Sequence, residues 1–177
     1  MKVKKWIAGA MAAAAFMAMS LTATEAAAQN EETRETVNVD LQELMKTSVF
    51  PVGGENTQYA QYFDGMSYLN MLSLEQVIVG NVTFEPGCRN HWHIHHAKSG
   101  GGQMLLVTAG RGYYQEWGKP AQELRPGVVV HIPANVKHWH GAAPTEWFQH
   151  LAIEVAGEDT SNEWCEPVSA EDYGKLM

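Results

Sequence analysis

The sequence predicts an all-β protein folded as a jelly-roll sandwich or barrel. From Tyr59 onward, short runs rich in β-branched and aromatic residues alternate with Gly, Pro and Asn, which is the pattern of strands separated by turns. These runs are evenly spaced as far as Val155, and no internal repeat or low-complexity tract interrupts them. Many short, evenly spaced strands are typical of antiparallel sheets closed around one core.

The first 28 residues differ from this pattern and predict a signal peptide. They begin with three lysines, continue through an apolar, alanine-rich run over 6–23 and end in an A-x-A site at Ala26–Ala28. Such a segment directs export and is removed, here after Ala28, so we expect a periplasmic or secreted protein. The alternative is an uncleaved membrane anchor, because the apolar run approaches the ~18 residues that can span a bilayer.

The charge of the chain limits its partners. Cleavage after Ala28 removes three lysines and one glutamate, which changes the formal net charge from −8 to −10. An acidic surface repels nucleic acids and anionic membranes, so we expect neither as a partner. A mature chain of about 150 residues suits one soluble domain that takes a small-molecule substrate, with no stable membrane insertion after cleavage.

The chain after the signal peptide divides into an extension, a core domain and a tail. The extension covers 29–48 and is expected to contain a short helix within Val37–Met45. Pro51 and the glycines that follow it break the chain at the start of the core domain, which covers 49–157. The tail covers 158–177.

Strands fill the core domain, and a second short helix follows in the tail. Ser169, with Glu171 and Asp172 behind it, is typical of a helix N-cap with an acidic first turn, so we expect a helix that ends near Leu176. The predicted strands are Tyr59–Phe63, Tyr68–Leu72, Val77–Phe84, His91–His95, Gln103–Ala109, Gly112–Trp117, Ala121–Leu124, Val128–Ile132, His138–Ala142 and Phe148–Val155.

Histidines are concentrated in two stretches of the core domain. Six of the eight histidines of the chain lie in the stretches GCRNHWHIHHAKSGGGQMLLVTAG and KHWHG. Successive side chains of a strand point to opposite faces, so His93 and His95 share one face of their strand. His138 and His140 share one face of theirs for the same reason. Strands that present imidazoles in this way can bind a metal ion.

Turn residues between these stretches bring their polar side chains together. The glycines Gly100–Gly102 turn the chain back, so that Gln103 begins a neighbouring strand. Pro133 and Asn135 mark a tight turn before His138. Three imidazoles and one amide oxygen from three strands can then converge on one ion. Mn, Fe, Co, Ni and Zn accept such ligands, and the coordination positions left open for water or substrate favour catalysis.

The first histidine stretch resembles the first motif of the cupin superfamily, G(x)5HxH(x)3-4E(x)6G. Gly87 is followed after five residues by His93 and His95, Gln103 stands in the place of the Glu, and Gly110 closes the motif after six more residues. Seven residues separate His95 from Gln103, which makes the loop longer than in the motif. A neutral amide in place of the carboxylate implies a site one charge unit more positive and a stronger Lewis acid.

The second stretch resembles the second cupin motif, G(x)5PxG(x)2H(x)3N, through Gly127, Pro133 and His138. Asn135 replaces the motif's glycine, which is compatible because Asn tolerates a positive φ. Ala142 replaces the final Asn. The resemblance implies the cupin jelly-roll barrel, here with a short N-terminal and a short C-terminal helix. Because cupins commonly assemble, it also implies a homodimer or homotetramer.

Within the superfamily, the chain resembles small single-domain bacterial cupins of type 2 associated with carboxymuconolactone decarboxylases, some of which are manganese-dependent hydroxynitrile lyases. The shared patterns are WHxH, a glycine-led GQ, KHWHG followed by AAPT, and HLA, within about Phe50–Val155. The resemblance implies His150 as the proton-transfer group, with His140 as the second candidate. It implies four metal ligands, which are His93, His95, Gln103 and His138.

Three functions are consistent with these residues. The first is a lyase of the (R)-mandelonitrile lyase type, in which a metal polarises a cyanohydrin oxygen and a histidine moves the proton; the expected metal is Mn, with Fe, Zn, Ni or Co as alternatives. The second is a dioxygenase of phenolic or dicarbonyl substrates, which Gln103 disfavours because the usual facial triad includes a carboxylate. The third is an exported cupin that binds a metal or small molecule without catalysis.

The two cysteines leave one further alternative open. Cys88 lies beside the first motif and Cys165 lies in the tail. Two cysteines in an oxidising compartment can form a disulfide, but their separation in space is not given by the sequence.

Overall fold

The computed structural model describes residues 41–176, so the predicted signal peptide and the start of the extension lie outside the described residues. The described chain begins with helix α1 at residues 41–47. The elements that follow are β1 (Gly54–Glu55), a 3-10 helix (Ala60–Tyr62), β2 (Phe63–Asp64), β3 (Ser67–Ser73), β4 (Val79–Phe84), β5 (Arg89–Asn90), β6 (His93–His96), β7 (Ser99–Gly100), β8 (Gln103–Gly110), β9 (Gly112–Glu116), β10 (Gln122–Leu124), β11 (Val129–Ile132), β12 (His138–Ala142), β13 (Phe148–Glu154), β14 (Gly157–Glu158), β15 (Ser161–Trp164) and α2 (Ala170–Gly174).

Two antiparallel sheets form the jelly roll. The first has the strand order β1-β3-β4-β13-β8-β11, and the second has the order β10-β9-β12-β5-β2, with β6 paired to both β12 and β15. A separate ribbon joins β7 to β14. Strand β13 lies between β4 and β8, so pairing between distant parts of the chain closes the fold. The prediction of an all-β jelly roll with short terminal helices is confirmed.

The core lies between the two sheets. Its most deeply buried side chains include Phe84, Leu105, Leu124 and Phe148. The rings of Phe84 and Phe148 lie 5.9 Å apart, within the range of favourable aromatic pairs. Burial of each of these large apolar side chains contributes about 1.5–3 kcal/mol to stability.

The outer side of the histidine strands is held by the tail. Trp92 and Trp139 are buried there together with Val168 and Tyr173. The Tyr173 hydroxyl donates a hydrogen bond of 2.7 Å to the backbone oxygen of Ala142. This packing anchors the two tryptophans against the tail, and it leaves the opposite face of the same strands directed into the barrel.

The predicted strand Tyr59–Phe63 is wrong in most of its length. Ala60–Tyr62 form a 3-10 helix, with the Tyr62 amide donating to the Tyr59 carbonyl, and only Phe63 continues into β2. The physical reason is that the strand preference of aromatic residues depends on neighbouring packing. Here the Tyr62 ring stacks on Trp164, with centroids 4.5 Å apart, and this contact does not require an extended chain.

The tail contains a strand that the sequence pattern does not indicate. β15 pairs antiparallel with β6, so that Trp164 lies opposite His93. Residues 161–164 are Ser, Asn, Glu and Trp, which do not alternate between polar and apolar. Only Trp164 is partly buried. The strand forms because the edge of β6 offers unpaired backbone groups. The tail residues alone do not predict this pairing, because β6 lies far from them in the sequence.

Both predicted helices are present. α1 overlaps the predicted helix within Val37–Met45, of which residues 37–40 lie outside the described part. The Ser169 hydroxyl caps α2 by accepting a hydrogen bond of 3.0 Å from the Asp172 amide. Within residues 41–176, neither helix is long and apolar enough to cross a membrane.

The two cysteines are free thiols in the described chain. Cys88 is buried, and burial raises the pKa of its thiol. Cys165 is partly exposed. The alternative of a Cys88–Cys165 disulfide is therefore not realised in this structure.

Candidate metal centre

Three buried histidines from two paired strands form the candidate site. On β6, His93 and His95 are buried while Ile94 and His96 are only half-buried, as strand alternation predicts. His138 on β12 lies opposite His93 in the ladder. One ring nitrogen from each of His93, His95 and His138 lies within 4.8 Å of the others, so one ion can contact all three.

Backbone carbonyls orient two of the three rings. His93 Nδ1 lies 2.9 Å from the His91 oxygen, and His138 Nδ1 lies 2.9 Å from the Val136 oxygen. A carbonyl oxygen only accepts, so Nδ1 carries the proton and Nε2 keeps its lone pair for a metal. Burial lowers the pKa of His93 well below its usual range and that of His138 to about 4, so both rings are neutral ligands at neutral pH.

Gln103 joins the same site from a third strand. It is the first residue of β8 and lies opposite Glu154 of β13. Its Nε2 donates a hydrogen bond of 3.1 Å to Glu154 Oε1, which leaves the amide oxygen for another partner. The preceding glycine is required, because a Cβ on Gly102 would lie 2.2 Å from the Ile132 backbone oxygen. The glycine turn thus places Gln103 against the strands of the metal site.

The unmet polar atoms of this cluster fit a divalent cation. The three acceptors His95 Nε2, His138 Nε2 and Gln103 Oε1 are buried and have no hydrogen-bond partner among the described residues, and His95 Nδ1 also lacks one. An unpaired buried acceptor costs about 1–3 kcal/mol, so three in one cluster require an explanation. Imidazole nitrogens and an amide oxygen are ligands that first-row divalent metals accept. All four predicted metal ligands therefore lie in one buried region whose chemistry suits such an ion.

A cavity of about 640 Å³ adjoins the cluster. His93, His95 and Gln103 line one part of it. Aromatic and aliphatic side chains line much of the rest, namely Tyr59, Phe63, Leu69, Met71, Val77, Ile78, Val82, Ala152 and Trp164. No lysine or arginine is among the described residues of its wall. A cavity of this composition suits an uncharged molecule with an apolar body and a polar group directed at the histidines.

Trp164 was missed as a site residue by sequence reasoning. Its ring stacks on His93 with centroids 4.8 Å apart and an interplanar angle of 29°. It also lines the cavity. The tail strand β15 therefore forms part of the cavity wall. No signal in the tail itself indicates this, because the position of Trp164 depends on pairing with β6.

His140 and His150 form a second histidine group next to the first. His140 is 4 % exposed and lines the cavity, and its ring centroid lies 5.4 Å from that of His93. His150 is fully buried, and its Nε2 lies 3.1 Å from His140 Nδ1. The prediction that these residues transfer a proton stays a prediction, since the structure gives their positions and not their activity.

The surroundings keep both rings of this pair neutral. Burial lowers the pKa of His150 to about 4, and burial together with the repulsion that protonated neighbouring imidazoles would exert lowers the pKa of His140 well below its usual range. Asn90 Oδ1 accepts a hydrogen bond of 2.9 Å from the His140 amide, and Asn90 Nδ2 lies 3.1 Å from His140 Nε2. The asparagine thus holds the backbone and the ring of His140 together.

Glu154 is the other residue that sequence reasoning missed. Its Oε2 lies 3.3 Å from His95 Nδ1, while its Oε1 accepts from Gln103. Burial raises the pKa of Glu154, but hydrogen bonding and charge interactions with His95 and Gln103 outweigh this, and the pKa is lowered overall. Its carboxylate therefore supplies a negative charge beside the ligands. The four predicted ligands remain neutral, as expected with Gln103 in place of a carboxylate, and Glu154 adds a negative charge next to them.

Comparisons with known proteins agree with the geometry. The cupin domain family matches residues 80–153. The chain is 46% identical over 93 residues to an (R)-mandelonitrile lyase of Granulicella tundricola, a match covering 52% of this chain and 68% of that protein. A crystal structure of a cupin-like protein from Thermotoga maritima is 41% identical, with a TM-score of 0.64 over 73% of this chain and 96% of the other.

The jelly roll and its three inward histidines define a metal-binding protein of the cupin class. The chain belongs to the cupin family, as a small cupin of type 2. The family resemblance predicted from the two histidine motifs is confirmed.

Proposed function

We propose that this cupin is a metal-dependent lyase that cleaves or forms the C–C bond of cyanohydrin-like substrates. The observation that carries the proposal is the pairing of two different histidine groups at one cavity. Three histidines have nitrogens suited to a metal, and His140 next to them is hydrogen-bonded to His150. The similarity to an (R)-mandelonitrile lyase supports the same reaction class.

In the proposed reaction, a divalent ion supplies the Lewis acid that polarises the substrate oxygen. The chain supplies the other functions. Because His140 lines the cavity and is neutral, its Nε2 can take the proton of the substrate hydroxyl in place of the Asn90 N–H that it faces in this structure. The electron pair of the O–H bond becomes the second bond of the carbonyl, the bond to the nitrile carbon breaks, and its electron pair leaves as cyanide. His140 then returns the proton to cyanide.

His150 supports His140 in this scheme. The imidazoles lie 3.1 Å apart, so one ring donates and the other accepts a hydrogen bond. When His140 takes up a proton, the cation it forms can be stabilised by the neutral ring of His150. The aromatic and aliphatic part of the cavity wall gives the apolar body of a substrate a surface to pack against.

The charge of the cavity favours this lyase over a reaction on an anion. A carboxylate or phosphate substrate would be expected to meet a lysine or arginine, and neither lines the described wall. A cyanohydrin and its aldehyde are uncharged. Glu154 further disfavours anions, because its carboxylate faces the same cavity.

The test is metal analysis followed by turnover on the same samples. We expect about one divalent ion per wild-type chain, with Mn as the proposed metal. Release of benzaldehyde and cyanide from mandelonitrile is then measured. His93→Ala is expected to lose both the ion and the activity. His131→Ala is a suitable control because His131 is exposed on β11.

Two results would overturn the proposal. Wild-type protein without stoichiometric metal would remove the metal site on which the mechanism depends. Metal-loaded protein that releases neither product would remove the lyase, and oxygen consumption with phenolic or dicarbonyl substrates would then identify a dioxygenase instead.

Export and assembly are also proposed, on the basis of the sequence. We propose that the chain is cleaved after Ala28 and acts in the periplasm or outside the cell as a homodimer or homotetramer. Intact mass and size-exclusion chromatography of the exported protein test both points. A mass that includes residues 1–28, or a monomer at working concentration, would contradict them.

A further inference from the structure

Glu154 is the only aspartate or glutamate in the described cavity wall, and it lies next to the proposed metal ligands. It ends β13, and its two carboxylate oxygens contact two different proposed ligands. Oε1 accepts from Gln103 Nε2 at 3.1 Å, and Oε2 lies 3.3 Å from His95 Nδ1. Its side chain is 38% exposed, so it lies between the buried cluster and the cavity.

These contacts supply an orientation that His95 lacks elsewhere. His93 and His138 each have Nδ1 next to a backbone carbonyl two residues earlier in the chain. His95 Nδ1 has no hydrogen-bond partner in the described chain, and the charged group next to it is the Glu154 carboxylate, at 3.3 Å. An ionised carboxylate only accepts hydrogen bonds, so it favours the tautomer with the proton on Nδ1 and leaves Nε2 for an ion.

The same carboxylate determines which way the Gln103 amide faces. An amide can direct either its oxygen or its nitrogen at a neighbour, but a carboxylate can accept only from the nitrogen. Gln103 Nε2 is therefore held by Glu154, and Oε1 is the buried atom without a hydrogen-bond partner in the described chain. One side chain thus sets two ligand atoms on two strands, β6 and β8.

We propose that Glu154 is the positioning residue of the metal centre, which orients His95 and Gln103 as ligands and balances the charge of the bound ion. The four proposed ligands are all neutral, so a divalent ion brings two positive charges to a buried site with no other carboxylate in the described cavity wall. The inference rests on the proposed metal site, and it does not require the lyase activity.

The experiment is Mn²⁺ titration of the metal-free full chain, read by chelator competition and by the EPR spectrum of the bound ion. Glu154→Ala should raise the Kd about 10–100-fold, the usual effect of losing a residue that orients ligands. It should also change the EPR spectrum, because the ligand geometry is altered. Glu154→Gln should fall between wild type and Ala, since an amide oxygen can still accept the hydrogen bond from Gln103 but brings no negative charge next to His95.

Glu163→Ala is the matched control. Glu163 lies on β15 beside the same strand, but its carboxylate lies 2.7 Å from His96 Nε2, which is not a proposed ligand. The Mn²⁺ Kd and the EPR spectrum of the Glu163→Ala protein should match those of wild type. An equal change in Glu163→Ala and Glu154→Ala would show a general effect of acidic charge and overturn the positioning role.

The outcomes separate this inference from the proposed function. If wild type binds no stoichiometric Mn²⁺, the metal site itself fails. If wild type binds Mn²⁺ and both Glu154 variants bind it equally well with the same spectrum, only the role of Glu154 fails. Should Glu154→Ala not fold, the nearly isosteric Glu154→Gln decides alone, and a Kd and spectrum equal to those of wild type would overturn the inference.

Discussion

The two groups of buried histidines differ in what their ring nitrogens contact. In the first group, His93 and His138 use Nδ1 on backbone carbonyls, and the Nε2 atoms of His95 and His138 have no partner in the described chain. In the second group, His140 and His150 contact each other. Similar burial therefore gives two arrangements, one with ring nitrogens that are free to bind an ion and one whose imidazoles contact each other.

This difference follows from the strands that carry the rings. β6 and β12 are direct neighbours, so the rings of His93, His95 and His138 lie side by side on one face of one sheet. His150 lies on β13 of the other sheet, and its ring meets His140 across the interior. The Phe84 ring lies near both imidazoles of this pair and seals it within the core. The second group therefore combines a packing role with its proposed chemical role.

The comparison predicts that neighbouring histidines of one strand can be separated by function. We expect His138→Ala to hold under about 0.1 metal ion per chain, because it loses a nitrogen ligand. His140→Gln should keep about one ion per chain, yet cleave mandelonitrile at least about 100-fold more slowly, because proton transfer typically contributes 10²–10⁴-fold. Elemental analysis and product release on the same preparations measure both quantities.

Either variant can contradict this division. A His140→Gln protein without metal would place His140 among the ligands. A His140→Gln protein with wild-type turnover would remove it from proton transfer. His131→Ala again serves as the control, since it changes an exposed histidine on an edge strand.

A second prediction concerns stability and pH, and it isolates His150. The folded pKa of His150 is about 4, below the ordinary value of 6.5, because burial disfavours the cation. Between these values the unfolded chain binds more protons than the folded chain. The free energy of unfolding therefore falls as the pH decreases from about 6.5 to 4, and this contribution amounts to about 3 kcal/mol since each pKa unit corresponds to 1.36 kcal/mol.

The variant for this prediction is His150→Phe. A phenyl ring suits the position because His150 already packs between Phe84 and Phe148, with centroids 5.5 and 5.4 Å away. Denaturant unfolding of the metal-free full chain at several pH values should show a slope flatter by up to about 1.4 kcal/mol per pH unit, the value for one proton. An unchanged slope would mean that His150 does not titrate differently in the two states.

The parts of the site that the sequence predicts are those set by local geometry. Alternation along a strand places His93 and His95 on one face, and their burial confirms it. Turn chemistry at Asn135 is confirmed by its φ of 66°. Both inferences need only a few neighbouring residues, which is why they succeed.

The parts that it does not predict depend on pairing between distant strands. Glu154 lies four residues after His150 on β13, so strand alternation predicts that both side chains point to the same face. Its contact with Gln103, however, depends on the register of β13 against β8. That register shifts between Gln149 and His150, so counting residues alone does not establish it. Trp164 reaches His93 only through the pairing of β15 with β6.

The Trp164→Leu variant is expected to show the smallest effect. It tests whether the stacking of Trp164 on His93 also holds His93 in position to bind the metal. In Trp164→Leu, His93 keeps its Nδ1 contact with the His91 oxygen, so metal content should stay at about one ion per chain. The KM for mandelonitrile should rise about 3–10-fold with kcat nearly unchanged, because an aromatic pair contributes about 0.5–1.5 kcal/mol beyond area burial. An aliphatic cyanohydrin, which lacks a ring to pair, should show a smaller change. Loss of metal would instead mean that the stack of Trp164 on His93 holds the ligand in place, and the tail strand would then belong to the metal centre as well as to the cavity wall.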